Sequence, residues 1–246
     1  MAKAIPLSEL PVFSARRPPD PNFHFQGGAA FLVDKPAGWS SFEVVKLLRR
    51  CLDMRKIGHA GTLDPMATGL LVLCCGRGTK SIQQIQVLEK VYVGEVTFGA
   101  ATASYDAETE VTEEAPWQHL TGERIADKME EAFTGDIIQY PPMYSAVKHK
   151  GQPLYKLARQ GKEVERKPRV VTVHELRLLE CRLPVIKLYI RCGKGTYVRS
   201  IAHDLGRALD SAAHLSSLVR ERIGEFSNED ALSVAQLRDI FDVEEK

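Results

Sequence analysis

Six consecutive apolar residues, Leu70–Cys75, follow a stretch crowded with glycine, Gly58–Gly69, and are closed by Gly76-Arg-Gly-Thr79. A run of strand length without alternation has no polar face to offer water, so it reads as a strand buried on both sides. Such a strand needs a covering layer on each face. A chain of 246 residues can supply both, as one large domain or two small ones, without disulfides or metals. The approach to the run holds one carboxylate, Asp64, and no other acid lies between Asp53 and Glu89. Two readings are open at this point. Asp64-Pro65 is a plain turn in which the acid caps its own backbone, or a lone carboxylate fixed beside a proline is a reactive group.

The rest of the chain supplies the layers. Residues 1–28 carry five prolines and no hydrophobic period, and read as a loose N-terminal arm. Ala29–Val33 reads as a buried strand, and Asp34–Gly38 as a turn. Ser40 and Glu43 form a capping box for a helix with Phe42, Val45, Leu48 and Cys51 on one face. Thr79 is placed to cap a short helix from Lys80. Val91–Phe98 alternates with period two and sets Tyr92, Gly94, Val96 and Phe98 on one face. Residues 99–120 read as an acidic loop. Gly122–Phe133 reads as a helix built on Ile125, Met129 and Phe133, stopped by Gly135. Tyr155, Leu157 and Ala158 belong to a helix ended by Gly161. Val170–Leu179 and Val185–Cys192 read as paired strands. A helix follows from Tyr197 to about Leu209, then a mixed segment, His214–Ile223, and a closing helix, Ser233–Phe241. The irregular order argues α+β with a mixed, mainly antiparallel sheet.

Hydrophobic residues at 44% and charged residues at 26% are those of a globular chain, and the net charge of +1 announces no polyanionic partner. The distribution says more: residues 101–140 carry ten acids and two bases, residues 141–170 eight bases and two acids. That is either a solvated surface or a basic patch for a polyanion beside an acidic region. Five cysteines without a Cys-x-x-Cys pair indicate neither a disulfide framework nor a zinc site, and suit a reducing cytoplasm. No apolar run approaches membrane-spanning length. Gly76–Ser81 fails as a phosphate-binding loop because Thr79 separates Gly78 from Lys80, and no dinucleotide or serine-hydrolase motif occurs. No cofactor is indicated. The residues that remain are Asp64, Tyr92, Tyr197 and Arg199. Each stands beside glycines or on a regular strand. A cation such as Arg199 can hold a carboxylate ionised, and tyrosines offer a flat face for a base or sugar. Against this, a strand tyrosine is commonly a packing residue and an arginine near a helix start a surface one.

These residues carry a family resemblance. Gly58-His-Ala-Gly-Thr-Leu-Asp-Pro-Met-Ala-Thr-Gly69 resembles the catalytic motif of the TruB-type tRNA pseudouridine synthases. Val33-Asp-Lys-Pro-Ala-Gly38 resembles the family's first motif, and Lys90-Val-Tyr92 the strand carrying its active-site tyrosine. Gln139–Lys148, with Gly151, Tyr155 and Ala158-Arg-Gln-Gly161, resembles its RNA-gripping thumb. Gly193-Lys-Gly-Thr-Tyr-Val-Arg199 resembles its Tyr/Arg motif, and His214-Leu-Ser-Ser-Leu218-Val-Arg220 the strand that closes the uridine pocket. The matches run in the family's order over about residues 29–224.

The resemblance implies an isomerase that converts uridine 55 in the T-loop of tRNA to pseudouridine. It implies a pseudouridine-synthase-like catalytic domain over 29–226 with a thumb at about 139–168. A short helical tail, 227–246, would stand where family members usually carry a further RNA-binding domain. Asp64 would be the nucleophile or charge partner, and Arg199 would pair with it. Tyr92 would lie against the base and help move its proton. Tyr197 would line the site, Leu218 would pack on the uracil, and His59 would fill the space the flipped nucleotide leaves. Lys35 and Lys148 match basic positions as structural or RNA contacts. The chemistry is self-contained, with no redox change, so neither a metal nor a nucleotide cofactor is implied. The expected protein is a cytoplasmic monomer with tRNA as partner and no membrane association. The alternative is a non-catalytic RNA-binding or tRNA-folding protein that keeps the fold.

Overall fold

The computed structural model describes residues 3–244. Its strands are β1 Val12–Phe13, β2 Ala29–Lys35, β3 Ile57–His59, β4 Thr68–Cys75, β5 Lys90–Phe98, β6 Ala100–Thr102, β7 Val111–Glu114, β8 Gly135–Gln139, β9 Lys148–His149, β10 Gln152–Pro153, β11 Arg169–Arg182, β12 Val185–Cys192, β13 Ala213–Ile223, β14 Phe226–Ser227 and β15 Leu232–Ser233. Its α-helices are α1 Ser41–Cys51, α2 Ile82–Gln86, α3 Gly122–Phe133, α4 Leu154–Ala158, α5 Val198–Ala208 and α6 Val234–Phe241. The class is α+β, with mixed pairing that is mostly antiparallel. Two compact units divide the chain: residues 1–91 with 219–246, and residues 92–218. The expected catalytic domain, 29–226, draws on both.

In the first unit β2 and β4 pair antiparallel from Ala29↔Cys75 to Lys35↔Gly69. β1 and β15 add to β2 in parallel, β3 adds to β4 antiparallel, and the second half of β13 adds to β4 in parallel. Alternate residues divide between two cores. Ala29, Phe31, Val33, Leu71, Leu73 and Cys75 pack with Val44, Val45 and Leu48 of α1 and Leu237 of α6. Ala30, Leu32, Leu70, Val72 and Cys74 pack with Leu10, Ile85, Ile223 and Phe226. Both faces of β4 are therefore covered, as its unbroken apolar run requires. Each buried leucine or valine there contributes about 1.5–3 kcal/mol relative to exposure. The Ser40/Glu43 capping box forms, and a second one, Ser233/Gln236, opens α6.

Four expectations for this unit need correction. The N-terminal arm is not loose: β1 pairs with β2, and Phe13, Phe23, Phe25 and Phe31 pack ring against ring, with Phe241 of α6 on Phe25. Its aromatics have no period because they fill one pocket rather than one face of an element. The buried residues of α1 are Ser41, Val44, Val45, Leu47 and Leu48, while Phe42 is 51% exposed under the cations of Lys46 and Arg49. Thr79 does not cap a helix; it lies in a 3-10 turn, Gly76–Ser81, and bonds back to the Gly76 carbonyl. The tail after Gly224 is not helix alone, because β14 and β15 pair with β13 and β2 before α6 begins.

In the second unit the strand order is β13, β5, β12, β11, β8. β11 runs antiparallel to both β12 and β8. Gly94 in β5 is required by packing: a Cβ there would lie 2.9 Å from the Ser217 carbonyl and 3.1 Å from Leu218. α3 spans its expected residues and buries Ile125, Met129 and Phe133. The segment 99–120 is not simply loop, since β6 and β7 pair antiparallel within it. The segment His214–Ile223 is strand throughout. The thumb has its own small core, Met143, Leu154 and Leu157, and a two-residue hairpin whose turn, Lys150-Gly151, has φ of +48° and +85°. Both angles suit a type I′ turn, for which glycine at the second position is favoured.

Candidate active site

Asp64 is half-buried and opens a tight turn in which the Ala67 amide donates to the Asp64 carbonyl over 3.1 Å. Pro65 at the second position fixes φ for such a turn. The turn of the first reading is thus present, closed by a main-chain bond. What the turn reading leaves out is how the loop is held. Ser41, buried at the start of α1, accepts from the Leu63 amide at 2.8 Å and donates to the Leu63 carbonyl at 3.0 Å. Lys35, fully buried at the end of β2, donates to the carbonyls of Pro36, Trp39 and Pro65 at 2.9, 2.5 and 3.1 Å. Arg220 of β13, 1% exposed, donates to the carbonyls of Leu70, Gly61 and Thr62 at 2.7, 3.1 and 3.5 Å. Polar side chains buried this completely persist because their donors are met, and here the acceptors are the backbone that carries Asp64.

The glycines of this stretch serve the same framework. Gly69 has φ +96°, and a Cβ on it would stand 2.8 Å from the Arg220 amide nitrogen, so only glycine lets β13 pair here. Gly76, at φ +53°, lies against the carbonyls of Phe25 and Gln26 in the N-terminal segment. These two glycines admit the protein's own backbone. The thiols beside them are inert: burial pushes Cys74 to about 12 and Cys75 to about 11.

Arg199 lies in the second unit, near the start of α5, and is 2% exposed. It donates to the carbonyls of Ser104 and Tyr144, each at 2.9 Å. Its Nε stands 3.4 Å from Asp106 Oδ2, an ion-pair contact rather than an aligned hydrogen bond. Asp106 is itself fully buried, and its other oxygen accepts from the Ser104 hydroxyl at 2.5 Å and the Glu108 amide at 3.0 Å. The loop around it docks on β13 through Tyr105 and Leu215. Tyr197 caps α5 from outside the helix; Gln139 brackets its backbone, accepting from the amide at 2.7 Å and donating to the carbonyl at 3.0 Å. The Arg169 guanidinium lies over its ring, 5.4 Å from the centroid. The structure therefore brings Tyr197 and Arg199 together at one helix start and fixes both through backbone.

The remaining candidates are placed as follows. His59 ends β3, with a buried Nδ1 that has no hydrogen-bond partner, and burial first, then Arg220, pull its pKa below the usual imidazole range. Tyr92 is half-buried in β5. Leu218 is 7% exposed in β13, against Gly94. Lys148 is exposed on the thumb hairpin, whereas Lys35 is sealed inside and is a framework residue. Sequence reasoning missed three residues that fix the others: Ser41, Asp106 and Arg220. Asp106 was hidden among ten acids of one stretch. Arg220 did carry a signal, as an arginine at an inward position of a strand whose other buried positions, Ala213, Leu215, Leu218 and Ile223, are apolar.

Comparison with known proteins bears on what this framework holds. The family described as TruB family pseudouridylate synthase (N terminal domain) matches residues 49–198. A tRNA pseudouridine synthase B of Bacteroides fragilis is 44% identical over 225 residues, covering 89% of this chain and 96% of that protein. The protein of the same name from Dehalococcoides mccartyi is 47% identical over 205 residues, covering 83% and 68%. Among solved structures, a Cbf5-Nop10-Gar1 complex matches with a TM-score of 0.69 and 29% identity, over 97% of this chain and 60% of that one. An H/ACA RNP bound to a substrate RNA containing 2'-deoxyuridine matches with a TM-score of 0.66 and 27% identity, over 92% and 57%.

Proposed function

The chain belongs to the TruB family of pseudouridylate synthases, and from that premise we propose that it isomerises the T-loop uridine of tRNA, position 55, with Asp64 as the reacting carboxylate. The N-glycosidic bond breaks, the base turns, and carbon 5 bonds to the sugar carbon; carbon 5 then gives up its proton to a base while N1, freed from the sugar, takes one up, so that atoms are conserved and nothing is oxidised or reduced. A carboxylate serves this reaction either by covalent attack or by stabilising a cation-like sugar, as in glycoside hydrolysis. A base inside a folded RNA loop must first be flipped out and received by apolar and aromatic side chains. Leu218, Tyr92 and Tyr197 take that role in this reading, with His59 filling the vacated space. Arg199 is the charge partner of Asp64, and Tyr92 assists the proton transfer. Lys148 and its hairpin neighbours contact phosphate.

The observation that carries this reading is the Asp64 turn, tied to buried side chains of β2, α1 and β13. Preorganisation of that kind places a reacting group to within fractions of an ångström. Asp64→Asn keeps the shape of the turn and removes the nucleophile. It is expected to lower pseudouridine formation on a T-arm RNA by at least about 10³-fold. Chemical mapping of pseudouridine in that RNA reads the outcome, and retained activity refutes the role. The same reading sets the reaction in the cytoplasm, where the five free thiols stay reduced, and assigns it to a monomer, which sedimentation of the free protein tests.

A further inference from the structure

Arg220 has no acidic partner among the described residues; its guanidinium is met by three backbone carbonyls, those of Leu70, Gly61 and Thr62. At 1% exposure this is an unusual place for a cation. An aliphatic residue would extend the inward pattern of β13 set by Leu215, Leu218 and Ile223. The guanidinium is distinguished by its planar fork, which can bind carbonyls of separate segments at once. Here it joins the first turn of β4, at Leu70, to the two residues that stand just ahead of Leu63 and Asp64. Gly69 is shaped to admit it, since any side chain there would collide with the Arg220 backbone.

We propose that Arg220 is a positioning residue for the pseudouridylation reaction: its guanidinium fixes the path of Gly61–Thr62 and so the reach of the Asp64 carboxylate. This rests on the catalytic reading of Asp64. Ser41 holds Leu63 and Lys35 holds Pro65, so Arg220 is the third anchor of the loop and the one on its N-terminal side. With that anchor gone, the turn itself still forms, because the Asp64–Ala67 bond and the two other anchors are local to it. The carboxylate then samples positions of poor reactivity. Misplacement of about 1 Å is enough to cost ~10²-fold in rate.

The test is single-turnover pseudouridylation of a T-arm RNA with enzyme in excess, alongside the Kd for that RNA and the melting transition of each variant. Arg220→Lys keeps the charge and loses the fork; Arg220→Gln keeps an amide donor and loses the charge. Both are expected to slow the chemical step by ~10²-fold while Kd stays within about threefold and melting stays cooperative. Should Arg220→Gln not fold, Arg220→Lys carries the measurement. An NMR titration of His59 reads the loss of the neighbouring cation, with Arg220→Lys as the control for altered packing: the pKa of that ring rises further in Arg220→Gln than in Arg220→Lys. A single-turnover rate equal to the parent's in folded variants, or a loss confined to Kd, overturns the proposal. Asp64→Asn in the same assay separates the failures. If it is active, the catalytic reading falls; if it is inactive beside fully active Arg220 variants, only this inference falls.

Discussion

Two arginines, Arg199 in one unit and Arg220 in the other, are almost sealed from water at 2% and 1% exposure, and the two regions satisfy them differently. Arg199 has a buried carboxylate, Asp106, together with two carbonyls. Among the described residues, Arg220 has carbonyls alone. In the first region charge balances charge, and the pair is worth keeping only whole. In the second, dipoles of the main chain meet the cation, and what the arginine secures is the course of a loop. The first arrangement makes stability sensitive to either partner, while the second makes the local geometry sensitive to one.

The sharpest way to break this contrast is to remove one carboxylate. Asp106→Leu takes a buried carboxylate away from the Arg199 guanidinium and is expected to cost about 3–5 kcal/mol, read as a lower urea midpoint. Arg220→Met removes a cation and leaves three carbonyls without this donor, and is expected to cost about 1–3 kcal/mol. A larger loss for Arg220→Met than for Asp106→Leu would reverse the comparison. The smallest effect concerns neighbours on α5. Burial chiefly, then Arg207, with Arg166 adding to it and Glu113 opposing, lowers His203 to about 4; burial, opposed by Arg166, raises Asp204 to about 6. His203 charges more readily in the unfolded chain, so its contribution to stability is lost as pH falls from about 6.5 towards 4. Asp204 binds its proton more readily when folded, so its contribution is lost as pH rises from about 4 to 6. The two slopes oppose one another. Relative to the parent, Asp204→Asn is expected to lose stability more steeply on acidification and His203→Asn less steeply, which urea melts from pH 4 to 7 would show.

How much of this was legible beforehand depends on the range of the interaction. The capping box at Ser40, the helix Gly122–Phe133 and the buried strand Leu70–Cys75 are written in neighbouring residues, and each forms as read. Asp64 stood out because it was alone. On α1, Ser41 points inward and holds Leu63 through two long-range bonds, and Phe42 beside it faces out. The N-terminal arm was misread because its aromatics meet strands and a helix distant in sequence, which no local period records. Asp106 and Arg220 act through partners 93 and about 150 residues away, so their types alone did not assign them. At Gly69 and Gly76 glycine is needed because distant backbone of the same chain approaches too closely for a Cβ, which no local pattern records.

The second unit is an unbroken stretch, 92–218, whereas the first is completed only by 219–246. On the ribosome, β2 and β4 emerge early but lack β13, β15 and α6, which supply parallel neighbours and part of the apolar cover. Domains fold as units during synthesis, so the later-born middle of the chain can fold before the beginning does. The loop bearing Asp64 gains its Arg220 anchor only once β13 has been made, after the whole second unit. Until then, nascent chains expose the apolar strands of β2 and β4, a window in which chaperones have their purchase.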